Sequence, residues 1–351
     1  MEYVKLEEIC TIVSGGTPSR SKLNYWNNGN IPWIKIKDMK SKYIDSAEEF
    51  ITEEGLNNSS TKMLKRDTIL YSIFATLGEV GILKIDACTN QAIAGLSLKE
   101  DSNILKEYLY YYLKSKKKDV NNLGRGVAQN NINLSLLRKF KIPVIPLRQQ
   151  KKIIEVLDNV SSTINNYERE LALLDELVKA RFVEMFGEIE DCDRWKSKIW
   201  NEVVTIQNGR DYKKVLVDDG GYPVVGTGGE IARASGYLCP ENTIVVGRKG
   251  SINNPMLMKE KFWNVDTAFG VIPNSDYLHY QYFYYFCRFY NFMKLNKATT
   301  LPSTTKTDLL KIRINIPPLE LQNQFASFVE EIDKSRLLSN HSLFLIKSII
   351  F

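Results

Sequence analysis

Between Ile153 and Val178 the apolar positions fall at Ile153, Leu157, Val160, Ile164, Tyr167, Leu171, Leu174 and Val178. The intervals alternate four and three, the repeat of a coiled-coil seam. Pro146 suits a first helical turn and Gly187 suits the stop, so a spacer helix is predicted over 146–187. At about 1.5 Å per residue it would be a rod of about 60 Å. Such a rod cannot bury its own stripe and needs a partner. The tract 317–351 offers one: Leu321, Phe325, Phe328 and Ile332 keep the interval, Ser335, Ser339 and Ser342 interrupt it, and Leu345 and Ile349 resume it. An antiparallel intramolecular pair is expected; the alternative is that each helix packs on its own domain.

The two helical tracts belong to a larger duplication. Lys141-Ile142-Pro143-Val144-Ile145-Pro146-Leu147-Arg148-Gln149-Gln150 aligns with Arg313-Ile314-Asn315-Ile316-Pro317-Pro318-Leu319-Glu320-Leu321-Gln322 at an offset of 172. Upstream, Glu8–Ile12 matches Glu202–Ile206 at offset 194, which sets Gly15 against Gly209, and Asp67–Leu70 matches Asn242–Val245 at offset 175. The second copy is thus shorter by 22 residues, lost mostly between Pro32 and Asp67. Within each copy, short β-type runs such as 32–36, 68–71 and 80–83 precede a tyrosine-rich helix, near 105–114 in one and 277–291 in the other. The fold class expected is α+β: two similar α/β domains, 1–145 and 188–316, separated by the two long helices in a pseudo-twofold repeat. At matched numbering the last helix ends about eight residues before the equivalent of Gly187, as for a short or truncated form. Different loops on a shared scaffold point to different ligands for the two copies.

Composition narrows the class. Apolar residues make up 44 % of the 351, enough for two packed cores. A net charge of +6 and a pI near 8.8 suit a polyanionic partner without requiring one. The five cysteines, Cys10, Cys88, Cys192, Cys239 and Cys287, lack metal-ligand spacing, so buried free thiols are expected. There is no membrane-length apolar run and no signal-peptide core at Met1–Glu8; a cytoplasmic protein is expected.

Catalytic signatures are missing. The chain holds no Gly-x-x-x-x-Gly-Lys-[Ser/Thr] phosphate loop, and Gly226–Gly229 and Gly247–Gly250 read as turns. Pro317-Pro318 is followed by Leu319, not by the aromatic residue of an amino-methyltransferase motif. Asp38-Met39-Lys40 is half of a nuclease metal motif at best, and His279 and His341 are too few for a triad.

The segments Ser14-Gly15-Gly16-Thr17-Pro18-Ser19, Tyr25-Trp26-Asn27 and Ile31–Met39 resemble the opening of the specificity (S) subunits of type I restriction–modification systems. Pro146–Ile153 and Ala180–Gly187 resemble the start and end of that family's spacer helix. The resemblance implies two target recognition domains, each reading half of a split DNA site, with helices that set the gap and dock two methyltransferase (M) subunits. Restriction/translocase (R) subunits would join the full complex. It implies no catalysis and no cofactor in this chain, S-adenosylmethionine, ATP and magnesium belonging to the partners, and no membrane. The second copy departs from the pattern, with Asn208-Gly209-Arg210-Asp211 in place of Gly-Gly-Thr-Pro.

On that plan loops enter the major groove, cations neutralise phosphate, and amides, hydroxyls and arginine read base edges. The DNA-binding candidates in the first domain are Thr17, Ser19, Arg20, Lys22, Lys35, Lys37, Arg125, Gln129, Asn130 and Asn131. In the second they are Arg210, Lys213, Lys214, Arg248, Lys249, Lys297, Thr299, Thr300, Ser303 and Thr304. For each of these, a solvated surface charge or turn is the competing assignment. The run Lys114–Lys118 suits a phosphate contact and equally a helix C-terminus. Two rival functions stand beside the resemblance: a self-contained nuclease or methyltransferase with degenerate motifs, and an adaptor that joins proteins through its helices.

Overall fold

A computed structural model describes residues 2–124, 131–190, 194–296 and 301–350. The chain divides into two compact units, 1–165 with 346–351, and 166–345.

The N-terminal unit is built on a five-stranded sheet in the order Cys10–Ser14, Ile93–Leu98, Ile69–Ser72, Val80–Leu83 and Tyr43–Ile44. Its central strands are buried on both faces, and the two-residue period sorts their side chains into two cores. Ile69, Tyr71, Ile82 and Leu96 pack with Tyr108, Leu109 and Leu113 of the helix Lys106–Ser115. Leu70, Leu83 and Ile93 face the other way, onto Ile34, Met39 and Ile44. A smaller sheet, Glu49–Ile51, Ile31–Ile34 and Cys88–Thr89, and an antiparallel pair, Glu2–Lys5 with Lys141–Val144, also belong to the unit.

The second unit repeats this plan with a four-stranded sheet, Val204–Asn208, Ala268–Pro273, Thr243–Gly247 and Met256–Met258. Ile244 and Val246 enter a core with Trp200, Phe283 and Phe286, while Val245 meets Phe262 on the opposite face. In the shorter second copy the hairpin Tyr222–Gly226 with Gly229–Ala234 stands where the first copy pairs Ile31–Ile34 with Glu49–Ile51, and in both the first strand also runs parallel to a short strand, Trp263–Asn264 or Cys88–Thr89. The duplication extends to backbone conformation: Asp67 and Asn242 both adopt left-handed φ, 70° and 59°, as do Ala75 and Gly250, 60° and 81°.

The central helix runs Leu147–Phe186 and ends at Gly187, whose amide still bonds the Val183 carbonyl at 2.8 Å and whose φ of 87° turns the chain out of the helix. The expected seam holds except at its first position: Ile153 is exposed and Ile154 turns inward. The C-terminal helix, Leu319–Ile350, packs antiparallel to the second half of the central helix inside the second unit. Phe325 meets Phe182, Arg336 Nη2 lies 2.6 Å from Asp175, and the Ser339 hydroxyl is 3.1 Å from Glu170. Where the apolar seam was expected to break, polar contacts from Arg336 and Ser339 continue it; Ser335 is exposed, Ser342 and Leu343 are half-buried, and Leu345, expected to resume the seam, is exposed. His279 caps the helix Tyr280–Phe289 from outside it, its Nδ1 accepting from the Gln281 amide at 3.2 Å.

One polar anchor is duplicated. Gln150 and Gln322, equivalent in the repeat, are both fully buried. The Gln150 Oε1 accepts from the Leu105 amide at 2.8 Å, and its Nε2 donates to the carbonyls of Asn103 and Ile145. Gln322 makes the same three bonds, from the His279 amide at 2.7 Å and to Tyr277 and Pro317. Each glutamine ties the start of a long helix to the start of its unit's tyrosine-rich helix. Four of the five cysteines are buried and unpaired, Cys10 and Cys239 with thiols pushed up to about 12 by desolvation; Cys192 lies outside the described residues.

Candidate nucleic-acid interface

In the N-terminal unit four loops converge on one end of the larger sheet. Strand pairing brings Ser14 beside Ala94 and Ser72 beside Ile93, so the chain leaves or enters the sheet there at each strand. The loop after Ser14 is held by the Gly16 amide on the Thr89 carbonyl at 2.9 Å and by Thr17 hydroxyl donation to Gln91. A Cβ on Gly15 would lie 2.2 Å from the Asn90 carbonyl oxygen, which explains the glycine. The Asn90 amide bonds the Ile34 carbonyl, placing the Lys35–Asp38 turn alongside. Ile73 donates to Ala92 at 2.8 Å, and Phe74 pairs with Asn131 in an isolated bridge. The sequence pointed to the segments after Ser14, at Lys35–Lys37 and at Asn131, but not to Gln91 or to the 73–77 loop, which lacks cations and amides; the latter's equivalence to 248–252 was the available clue.

The cations expected to meet DNA here are mostly committed to neighbours. The Arg20 guanidinium stacks 3.6 Å from the Trp26 ring centroid and pairs with Glu49 at 2.6 Å. Lys35 also pairs with Glu49, and Lys37 with Glu48. Burial works against ionisation of Glu49, yet Lys35 and Arg20 together hold its carboxyl below its ordinary value. The hydrogen bond to Glu48 raises Lys37 and lowers Glu48. Lys22 donates to the Tyr25 hydroxyl at 2.9 Å. The Asp38 carboxylate accepts from the Lys35 amide at 2.7 Å, a turn-closing job in place of the half metal motif. Trp26 and Trp33 donate their indole N–H groups to the Ser19 and Gly16 carbonyls, so the aromatic residues shape the loop. Ser19 is exposed at its surface.

The second unit assembles the matching end of its sheet. Gly209 approaches the Val265 carbonyl so closely that a Cβ would lie 1.8 Å from its oxygen. Arg210 donates its amide to Asn264 at 2.9 Å, and Trp263 donates to the Arg210 carbonyl. Arg248 and Lys249 bond through their amides to Thr267, and Lys249 pairs with Ser303 in the counterpart of the Phe74–Asn131 bridge. Arg248 and Lys249 stand far from Ser303 in the sequence, and the fold brings the two segments together. Thr304 is a correction: it is buried, and its hydroxyl donates to the Gly247 carbonyl at 2.8 Å, so it braces the loop instead of facing outward. Arg210, Lys213, Lys214, Arg248 and Lys249 have no carboxylate within 4.0 Å among the described residues, in contrast to Arg20, Lys35 and Lys37. Arg125, Gln129, Asn130, Lys297, Thr299 and Thr300 lie outside the described residues.

Among the described residues no group of three or more His, Cys, Asp or Glu side chains is placed to hold a metal ion. Nor is any described helix long and apolar enough to cross a membrane.

A family profile described as the type I restriction modification DNA specificity domain matches residues 1–175 and 193–346. The chain is 35% identical over 172 residues to the EcoR124I/EcoR124II specificity subunit of Escherichia coli, a match covering 47% of this chain and 42% of that protein. It is 23% identical to the MjaIX specificity subunit of Methanocaldococcus jannaschii over 98% of this chain and 89% of that one. Among solved structures, a type I restriction-modification S subunit from M. genitalium superposes with a TM-score of 0.59 at 15% identity, covering 99% of this chain and 93% of that one.

Proposed function

Because the chain belongs to the type I restriction modification DNA specificity family, we propose that it is the target-reading subunit of such a complex, each unit reading one half of a split DNA sequence through the major groove. The observation that carries this reading is the pair of sheet ends. Both are built by the same close-approach glycine, the same bridge and the same left-handed residue. Yet one end presents Thr17, Ser19, Gln91, Phe74 and Asn131, and the other Arg210, Arg248, Lys249 and Ser303. One scaffold with two side-chain sets is what reading two unlike half-sites requires.

On this proposal the long helices set the gap between half-sites and dock two methyltransferase subunits. The chain itself is non-catalytic. Adenine methylation and ATP-dependent cleavage, with S-adenosylmethionine, ATP and magnesium, reside on methyltransferase and restriction/translocase partners. The unpaired cations of the second unit supply phosphate neutralisation, and the internally neutralised face of the first depends more on base-edge and shape contacts.

Methylome sequencing of cells with and without the gene tests the reading. A split, asymmetric methylated sequence is expected only when the gene is present. Exchanging residues 1–145 for those of another family member should change one half of it. Methylation by the pure chain, or a change in both halves, would refute the proposal.

A further inference from the structure

The loop after the strand Ile69–Ser72 has an unusual construction. Ser72 and Leu77 are buried, but the tip Phe74-Ala75-Thr76 is exposed, with Phe74 at 40%. The tip is fixed from below. The Ser72 hydroxyl bonds the Glu79 amide at 2.7 Å and the Thr76 carbonyl, Ile73 donates to Ala92, and Ile132 donates to Ile73 at 2.9 Å. Ala75 holds a left-handed φ of 60° without being glycine, a conformation that persists only where the surroundings impose it. The Phe74–Asn131 bridge pairs the tip with the backbone of a residue that carries a side-chain amide. A rigid, solvent-facing Phe-Ala-Thr tip with an adjacent Asn matches one recognition chemistry closely. Phe, Ala and the Thr methyl make apolar contact with the thymine C5-methyl in the major groove, and Asn pairs with the N6/N7 edge of adenine. The equivalent tip in the second unit, Lys249-Gly250-Ser251 beside Ser303, has lost all of these groups.

We propose that Phe74, Ala75 and Thr76, with Asn131, form a specificity-determining element of the N-terminal unit that reads an A·T pair in its half-site through the thymine methyl. This rests on the DNA-reading function above and names a base pair within it. The second unit has no such methyl dependence at the matching position.

The test uses the full chain assembled with its methyltransferase subunits and duplexes carrying the sequence found by methylome analysis. Each thymine in the half-site of the N-terminal unit is replaced singly by deoxyuridine, which removes only the C5-methyl. One position should weaken binding roughly three- to tenfold, the scale of losing one buried methyl contact. Phe74→Ala should bind the thymine and uracil duplexes alike while retaining the other half-site, and Phe74→Leu should restore part of the discrimination. Because Phe74 is exposed, these variants are expected to fold, which melting of the assembled complex checks. The proposal is overturned if uracil is tolerated at every position or if Phe74→Ala keeps the full methyl dependence. A chain that directs no split methylated sequence would instead overturn the DNA-reading function itself.

Discussion

Replacing Gln150 by Leu removes three hydrogen bonds at nearly constant volume. The side chain is fully buried and all three of its bonds are 2.8–2.9 Å long. At about 1 kcal/mol net for each, their loss costs about 3 kcal/mol. Two adjustments act on that figure. Asn103 is exposed and Ile145 half-buried, so water can re-satisfy their carbonyls. The Leu105 amide, at the foot of the helix Lys106–Ser115, has no replacement partner in the fold and adds a desolvation penalty. A net loss of about 2–4 kcal/mol is expected. The mirror substitution, Gln322→Leu, should cost at least as much, because the Pro317 carbonyl belongs to a buried residue. Urea unfolding gives the total, and amide hydrogen exchange localises it. Gln150→Leu should deprotect the Leu105 amide and leave His279 protected; Gln322→Leu should do the reverse. An unchanged Leu105 amide with a stability loss below about 0.5 kcal/mol would show that the glutamine is not the anchor the geometry makes it.

Two further outcomes can be checked directly. Desolvation holds the His279 imidazole below its ordinary value of 6.5, so the unfolded chain binds the extra proton first; the cap's stability is full above 6.5 and is lost as pH falls below it toward the folded value. Thermal melts between pH 5 and 8 should show this acid-side loss, and His279→Asn, which keeps a capping side chain, should remove it. For DNA binding by the assembled complex, the double substitution Lys213→Ala, Lys214→Ala should flatten the plot of log affinity against log salt by about two, whereas Arg20→Ala should leave the slope nearly unchanged because its charge is already answered by Glu49.

The repeat, the strands and both long helices were legible because each rests on periodicity, which a sequence displays directly. The long-helix stop at Gly187 was legible for the same kind of reason: a left-handed turn there demands glycine. What failed was the state of individual polar groups. Thr304 reads as a surface hydroxyl, and only the approach of Gly247 makes it a buried brace. Arg20 and Lys35 read as free cations, but Glu49 lies some 30 and 14 positions away, on a strand whose pairing no local pattern announces. Ser335, Ser339 and Ser342 read as a gap in the seam, since a pattern of apolar residues has no symbol for the Arg336–Asp175 pair that bridges it.

The same limit explains why the interface itself was only half visible. Basic and amide side chains are conspicuous in a sequence, and the second unit has exposed cations with no carboxylate beside them among the described residues. A reader that works through a phenyl ring and two methyl groups, the role proposed for the 74–76 tip, carries no such signal. What marks that tip is a left-handed backbone conformation shared across the duplication. Asp67 and Asn242 keep a left-handed φ at matched positions although the residue changes, and Ala75 keeps the conformation that Gly250 adopts without cost. Preserving a costly backbone while every outward side chain differs is the behaviour expected of a loop whose shape serves the scaffold and whose surface serves the ligand. On the proposed reading, the divergence between Phe74 and Lys249 reflects a difference between the two half-sites.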